Sequence, residues 1–232
     1  MRLMFCLLVL LAPPLRAEIV AVPYLGLRDT LGHRISFETL PQRAEPGFNL
    51  DHPLRTTGAW IGERFAGQSI VARPGPNGAP HDALGQENGH RPLTVRPGAP
   101  RRNLSVAYHR GFGSNAVLPL GQDGFDRLSG RGEGSLAVVF DSDQRAVGFR
   151  VHTDYAAPLG QSAPRGEIRL YFMTRMGHVL DVQTLYPGQG ITEYGFEVAD
   201  QSRRIAGLLI TNTDPGGIAI DDILFQIDLM LF

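Results

Sequence analysis

Past its first residues this chain keeps almost no helical period. Apolar residues recur instead at every second position, in short runs rich in Val, Ile, Phe and Tyr. Ile191–Val198, Ile-Thr-Glu-Tyr-Gly-Phe-Glu-Val, is one such run. Alternation with a period of two is the signature of a half-buried strand. The same pattern predicts strands at Arg34–Leu40, Ser69–Arg73, Pro92–Val95, Asn103–Tyr108, Ser135–Phe140, Ala146–Thr153, Glu167–Met173, His178–Leu185, Arg203–Thr211 and Ile218–Asp228. Turn residues separate the runs, and the chain holds 28 Gly and 17 Pro. Asp141–Gln144, Thr174–Gly177, Pro187–Gly190 and Thr213–Gly217 read as hairpin turns. The expected fold is all-β: an antiparallel β-sandwich or jelly roll with a long loop-rich N-terminal half. The Pro- and Gly-rich stretch Ala72–Pro100 reads as one surface excursion within that domain.

The first 17 residues stand apart from this pattern. Arg2, the apolar run Leu3–Ala12 and the small residue Ala17 have the layout of a secretory signal peptide. The apolar run is too short to span a bilayer. The expected organisation is therefore a signal peptide at 1–17 and a single β-sandwich domain at 18–232, exported to the periplasm or secreted. Cys6 is the only cysteine and lies in that leader, so no disulfide or thiolate site is expected in the mature chain. Such a domain depends on its core or on a bound metal. The 22 cationic side chains, all Arg, against 23 acids give a net charge of −1. A nucleic-acid binder shows a basic excess, so that class is excluded. No membrane span is expected after the leader.

The run that breaks the pattern is Gly216–Gln226, where Asp221 and Asp222 sit side by side in an apolar strand. Neighbours in a regular strand point to opposite faces. Asp221 would share a face with Ile223, Phe225 and Ile227, and so point inward; Asp222 would share the other with Ile220 and Leu224. A buried carboxylate needs a cation or several donors. Calcium, an Arg, or exposure at a strand end would each answer that need. Glu38, in Ile35–Leu40, is expected to meet the pair if the first and last strands are neighbours. Carboxylates that converge imply a divalent ion. The candidate metal ligands are Glu38, Asp221 and Asp222, and the candidate cofactor is a structural calcium.

Phe37-Glu38 near the first strand, together with Ile220–Phe225 in the last, resembles the galactose-binding-like β-sandwiches, which include many carbohydrate-binding modules. Several such modules hold a structural calcium with an N-terminal Glu and a C-terminal Asp, so the resemblance implies the same for Glu38 and the Asp pair. Trp60–Gln68, Gly132–Asp141 and Val147–Phe149, with Asn212–Gly217 ahead of the Asp pair, also resemble exported bacterial proteins of the PEP-CTERM-sorted type. The end of this sequence departs from that type: it has no Pro-Glu-Pro and no basic tail.

Other motifs fail on inspection. Asp141-Ser142-Asp143 lacks the remaining residues of an EF-hand loop. Gly130–Gly134 opens a strand rather than a helix, unlike a phosphate loop. The seven histidines include no pair at i, i+2 or i, i+4. No Gly-x-Ser-x-Gly elbow occurs. Glu63, Asp82, Glu87 and Asp126 are loop acids of the kind a glycosidase uses in pairs. The only tryptophan, Trp60, flanked by glycine and polar residues, is the leading sugar-contact candidate, with Tyr108 and Tyr155 beside it. The expected function is a non-catalytic module that binds glycan or extracellular matrix. A structural or adhesive envelope protein is the alternative, and a glycan-acting hydrolase or lyase ranks last.

Overall fold

The computed structural model describes residues 19–76, 78–87, 89–153 and 166–227. Its elements in chain order are β1 (Ile19–Val22), α1 (Tyr24–Thr30), β2 (His33–Ile35), β3 (Phe48–Leu50), β4 (Leu54–Thr56), β5 (Ala59–Gly62), β6 (Arg64–Phe65), β7 (Ser69–Pro74), β8 (Pro80–Gln86), β9 (Val95–Arg96), β10 (Leu104–His109), β11 (Ser114–Pro119), β12 (Leu136–Gln144), β13 (Ala146–His152), β14 (Ile168–Met173), β15 (Val179–Leu185), β16 (Ile191–Val198), β17 (Ile205–Asn212) and β18 (Ala219–Phe225).

Two antiparallel sheets pack face to face. The first runs β1-β16-β13-β18-β11-β10-β3, with β2 also paired to β18; the second runs β15-β14-β17-β12-β5-β4. The chain is an antiparallel β-sandwich, as the alternation predicts. Its core lies between the sheets and is rich in aromatic rings. Phe172 of the second sheet meets Phe196 of the first edge-on, with centroids 5.2 Å apart. Phe140 and Phe225 make a second bridge at 5.0 Å. Both distances suit favourable ring pairs.

A third layer covers the outer face of the second sheet. Phe65 of β6, with Leu93 and Val95 from the excursion, buries against Ala137, Val139, Met173, Ala206 and Leu209. Gly207 makes the contact close: a Cβ there would stand 3.0 Å from both Phe65 and Leu93. The excursion has its own hairpin, β7 with β8. Backbone bonds tie it down, from Leu93 N–H to the Arg175 carbonyl and from Asp82 N–H to the Glu133 carbonyl. On the far side of the sandwich, Tyr24, Leu27 and Leu31 pack with Ala146 and Leu224 of the first sheet.

Several expectations need correction. Of the four turns read as hairpins, only Thr174–Gly177 joins paired strands, β14 and β15. Pro187–Gly190 and Thr213–Gly217 carry the chain from one sheet to the other, and Asp141–Gln144 is the end of β12, after which the chain crosses to β13 at Arg145. Gly, Pro and Asp permit a sharp reversal of direction, but do not choose which sheet receives the next strand. The strand expected over Arg34–Leu40 ends at Ile35. Phe37 takes a φ of 57° there, and its side chain turns into the core.

The largest correction concerns the Asp pair. On β13, Gly148 faces Leu224 and Arg150 faces Asp221. Two steps on one strand thus match three on the other, which is a β-bulge. Asp222 absorbs the extra residue with a φ of 51°. Ile220 and Ile223 therefore both point into the core, while Leu224 packs with Tyr24 and Leu27. Asp221 does not point inward among the core residues. Both carboxylates lie on the outer face of the first sheet.

Candidate functional site

The groove beside Trp60 forms where the covering layer stops short of the edge of the second sheet. Trp60 is on β5, opposite Arg55 of β4 and Val139 of β12. The outward register keeps Trp60 41% exposed. Pro53, Trp60, Leu93, Val95, Asp141 and Arg175 line a cavity of about 450 Å³. Arg55 lies over the indole, with Cζ 5.4 Å from the ring centroid.

The rim of the groove is held in place by charge pairs. Arg55 donates two hydrogen bonds to Asp141, at 2.7 and 2.6 Å. Those bonds hold the Asp141 carboxyl below its ordinary range. Arg175 donates to Asp143 at 2.7 Å and to the Phe140 carbonyl at 2.7 Å. Forked pairs of this kind fix side-chain position as well as charge. The result is a fixed aromatic plate beside two guanidinium groups and two carboxylates.

The other predicted contacts do not join this groove. Tyr108 is half-buried on β10 of the opposite sheet. Tyr155 lies outside the described residues. Asp126 pairs with Arg101 on the surface. Glu87 lines a different cavity.

The strand expected to come first, β2 in the fold, does meet the last, since Ile35 pairs with Ile223; the chain's own first strand, β1, pairs with β16 instead. Glu38 is exposed and accepts a hydrogen bond from Asn115 N–H at 2.6 Å. Asp221 accepts from the Ser114 hydroxyl at 2.7 Å and from Asp222 N–H at 2.7 Å. Asp222 takes Arg150 at 2.8 Å and Arg34 at 3.2 Å. Tyr24 donates its hydroxyl to the Asp222 carbonyl. Burial pushes Asp221 up to about 7, and the neighbouring Asp222 charge adds to that push. Among the described residues, no group of three or more His, Cys, Asp or Glu side chains gathers as metal ligands.

Sequence reasoning missed how deeply a second group of acids lies. Glu63, Asp82 and Glu133 are all buried, where the excursion meets the sandwich. Asp82 accepts from Gln122 at 2.9 Å and from Ser135 N–H at 3.2 Å. Burial still raises it to about 6. Burial raises Glu133 to about 9, and its Oε2 has no hydrogen-bond partner among the described residues. His81, beside Asp82, is buried and lowered to about 4 for the same reason. The one signal for this in the sequence was the placement of acids in loops, and that says nothing about depth.

No family model matches the chain. No curated protein matches it either. Among solved structures, the chain is similar to a family 29 carbohydrate-binding module from Piromyces equi. The identity is 11% and the TM-score 0.32, over 74% of this chain and 93% of that one. A family 27 module described for specific mannan recognition gives 10% identity and a TM-score of 0.36, over 90% and 98%. The C-terminal family 22 module of Clostridium thermocellum Xyn10B gives 12% and 0.28, over 56% and 85%. Overlap of this depth transfers no ligand and no residue role; the sandwich stands on its own strand ladders. No helix among the described residues is long and apolar enough to cross a membrane.

Proposed function

We propose that this chain is a non-catalytic, glycan-binding β-sandwich, with Trp60 as its sugar platform. One observation carries the reading: an exposed indole forms the wall of a 450 Å³ groove rimmed by Asp141 and Arg175. A pyranose ring has an apolar C–H face and a polar equator. The indole matches the face, and fixed charged groups match the hydroxyls. Asp141 keeps acceptor capacity beyond its two bonds to Arg55, because an ionised carboxylate has about four lone-pair sites. Export through the leader at 1–17 belongs to the same reading. It is tested by N-terminal sequencing of the protein recovered from the cell envelope and medium, which should begin at Glu18.

The test is a glycan array followed by calorimetry on the glycans it selects. A central aromatic anchor is worth about 2 kcal/mol or more. Trp60→Ala should therefore weaken binding about thirtyfold and leave the thermal midpoint unchanged. Binding that survives the substitution would move the site elsewhere. An array with no hits would favour the structural or adhesive role.

A further inference from the structure

We infer that His90 and His178 form a site for a borderline-soft divalent transition metal such as zinc or nickel. The two are 88 residues apart in sequence. His90 follows the β7–β8 hairpin, and His178 closes the turn between β14 and β15. The fold brings His90 Nδ1 to 3.2 Å from His178 Nδ1 and 3.3 Å from its Nε2. Two zinc–nitrogen bonds of about 2.0–2.1 Å at a tetrahedral angle need the nitrogens roughly 3.3 Å apart. The observed spacing, which an N–H···N hydrogen bond between the two rings also gives, has room for a shared cation in place of that proton.

The surroundings suit an open site. Both imidazoles are exposed, and they border a cavity of about 1000 Å³ that Glu87 and Asp181 also line. Asp181 is already engaged, accepting from Val182 N–H and the Gln183 side chain. Glu87 is exposed on the same cavity, and water can complete the shell around the two imidazoles. The final torsion of a histidine is broad, so His178 turns one nitrogen toward the metal at little cost. His90 has a φ of 47°. This left-handed conformation is uncommon outside glycine, though histidine is among the residues enriched there. It directs the ring across the seam between the covering layer and the sandwich. Imidazole suits zinc, nickel and copper, whereas calcium and magnesium prefer oxygen.

Calorimetric titration of the full chain with zinc chloride tests the site. Saturable binding of one zinc per chain is expected, and none of magnesium at this site. Loss of a second-shell partner alone weakens metal sites by about 10–100-fold. His90→Ala and His178→Ala should therefore each weaken zinc binding at least tenfold, while His52→Ala, an exposed histidine elsewhere, leaves it unchanged. All three positions are exposed, and unaltered thermal midpoints without metal will verify that the variants fold. Absence of zinc binding at millimolar concentration overturns the inference, and so does equal binding by the two histidine variants and the native chain.

Discussion

Asp222, on the outer face of the first sheet, and Glu133, where the excursion meets the sandwich, are both buried carboxyls, and the fold treats them in opposite ways. Asp222 is paired with two cations, Arg150 and Arg34, at 2.8 and 3.2 Å. Glu133 keeps its proton because burial outweighs the help it receives from Arg131. The first solution ties strands together: Arg150 is on β13, Arg34 on β2, and both meet β18. The second ties nothing, and leaves an acid whose protonation sets how well the seam holds. The difference teaches that a buried acid is a fastener or a weak point depending on which cation its strand neighbours supply.

Removing the fastener should have the largest effect. Arg150→Met keeps the length and apolar stem of the side chain but leaves Asp222 with Arg34 alone. Arg150 also lies over Phe112, with Cζ 5.4 Å from its ring. Breaking a buried pair costs about 3–5 kcal/mol, and the remaining Arg34 puts this case near 3. Urea denaturation at pH 7 measures it. A loss under 1 kcal/mol would mean that Asp222 is not held as a charge by Arg150. The double change Arg150→Met with Asp222→Asn should recover part of the loss, because the stranded charge is then gone.

The weak point should appear as a slope against pH. The folded chain holds the Glu133 proton up to about 9, whereas the unfolded carboxyl releases it near 4.5. Between those values the folded state binds more protons, so stability falls as pH rises. Asp82 and Asp221, raised to about 6 and about 7, add to the lower part of this fall. His81 and His109, both lowered to about 4 from 6.5, act the other way, but chiefly below 6.5. Each unfolded imidazole is half protonated at its ordinary value and nearly free of protons one pH unit above it, so from about pH 7.5 to 8.5 the acids act alone. One proton is worth at most about 1.4 kcal/mol per pH unit. Glu133→Gln mimics the protonated acid and should flatten most of that slope. An unchanged slope in the variant would show that Glu133 is ionised in the folded chain.

The two acids also mark how far the sequence could be read. Period-two alternation identified β16 to the residue, because Ile191–Val198 is regular and bounded by turns. It missed β11, Ser114–Pro119, where burial on both faces removes the alternation. It missed α1 because seven residues after Pro23, with no side-chain cap, are too few to show a helical period. It paired β2 with the last strand correctly and missed β1, which pairs with β16; it turned Asp221 inward wrongly, since one bulge residue reverses the facing of Ile220 and Asp221 relative to Ile223 and Phe225. The groove at Trp60 was legible as one exposed aromatic. Its rim was not, because Arg55, Asp141 and Arg175 meet only through strand pairing and a turn. The His90–His178 contact has no local signal at all.

Asp221 sits between the two solutions, and replacing it should have the smallest effect. It neighbours the charged Asp222, yet burial raises it to about 7, like the acids at the seam. Its oxygens accept from the Ser114 hydroxyl and the Asp222 N–H. In Asp221→Asn, the amide oxygen still accepts from the backbone while the NH₂ group donates to the Ser114 oxygen. The amide is thus an isostere of the protonated acid. Below about pH 4, where folded and unfolded chains both hold this proton, the change should alter stability by less than about 1 kcal/mol, the net worth of one hydrogen bond. Between about pH 4 and 7 it should become progressively stabilising, because the native chain loses stability there as its unfolded state releases a proton that the folded state keeps, and above pH 7 the gain levels off. A calcium ion shared by Glu38, Asp221 and Asp222 requires the reverse. Added calcium would then raise the native thermal midpoint, chelator would lower it, and Asp221→Asn would abolish both responses. The two patterns differ in sign at pH 8, so thermal melts of the native chain and the variant there, with calcium and with chelator, decide whether arginine alone or a cation as well closes the last strand onto β2.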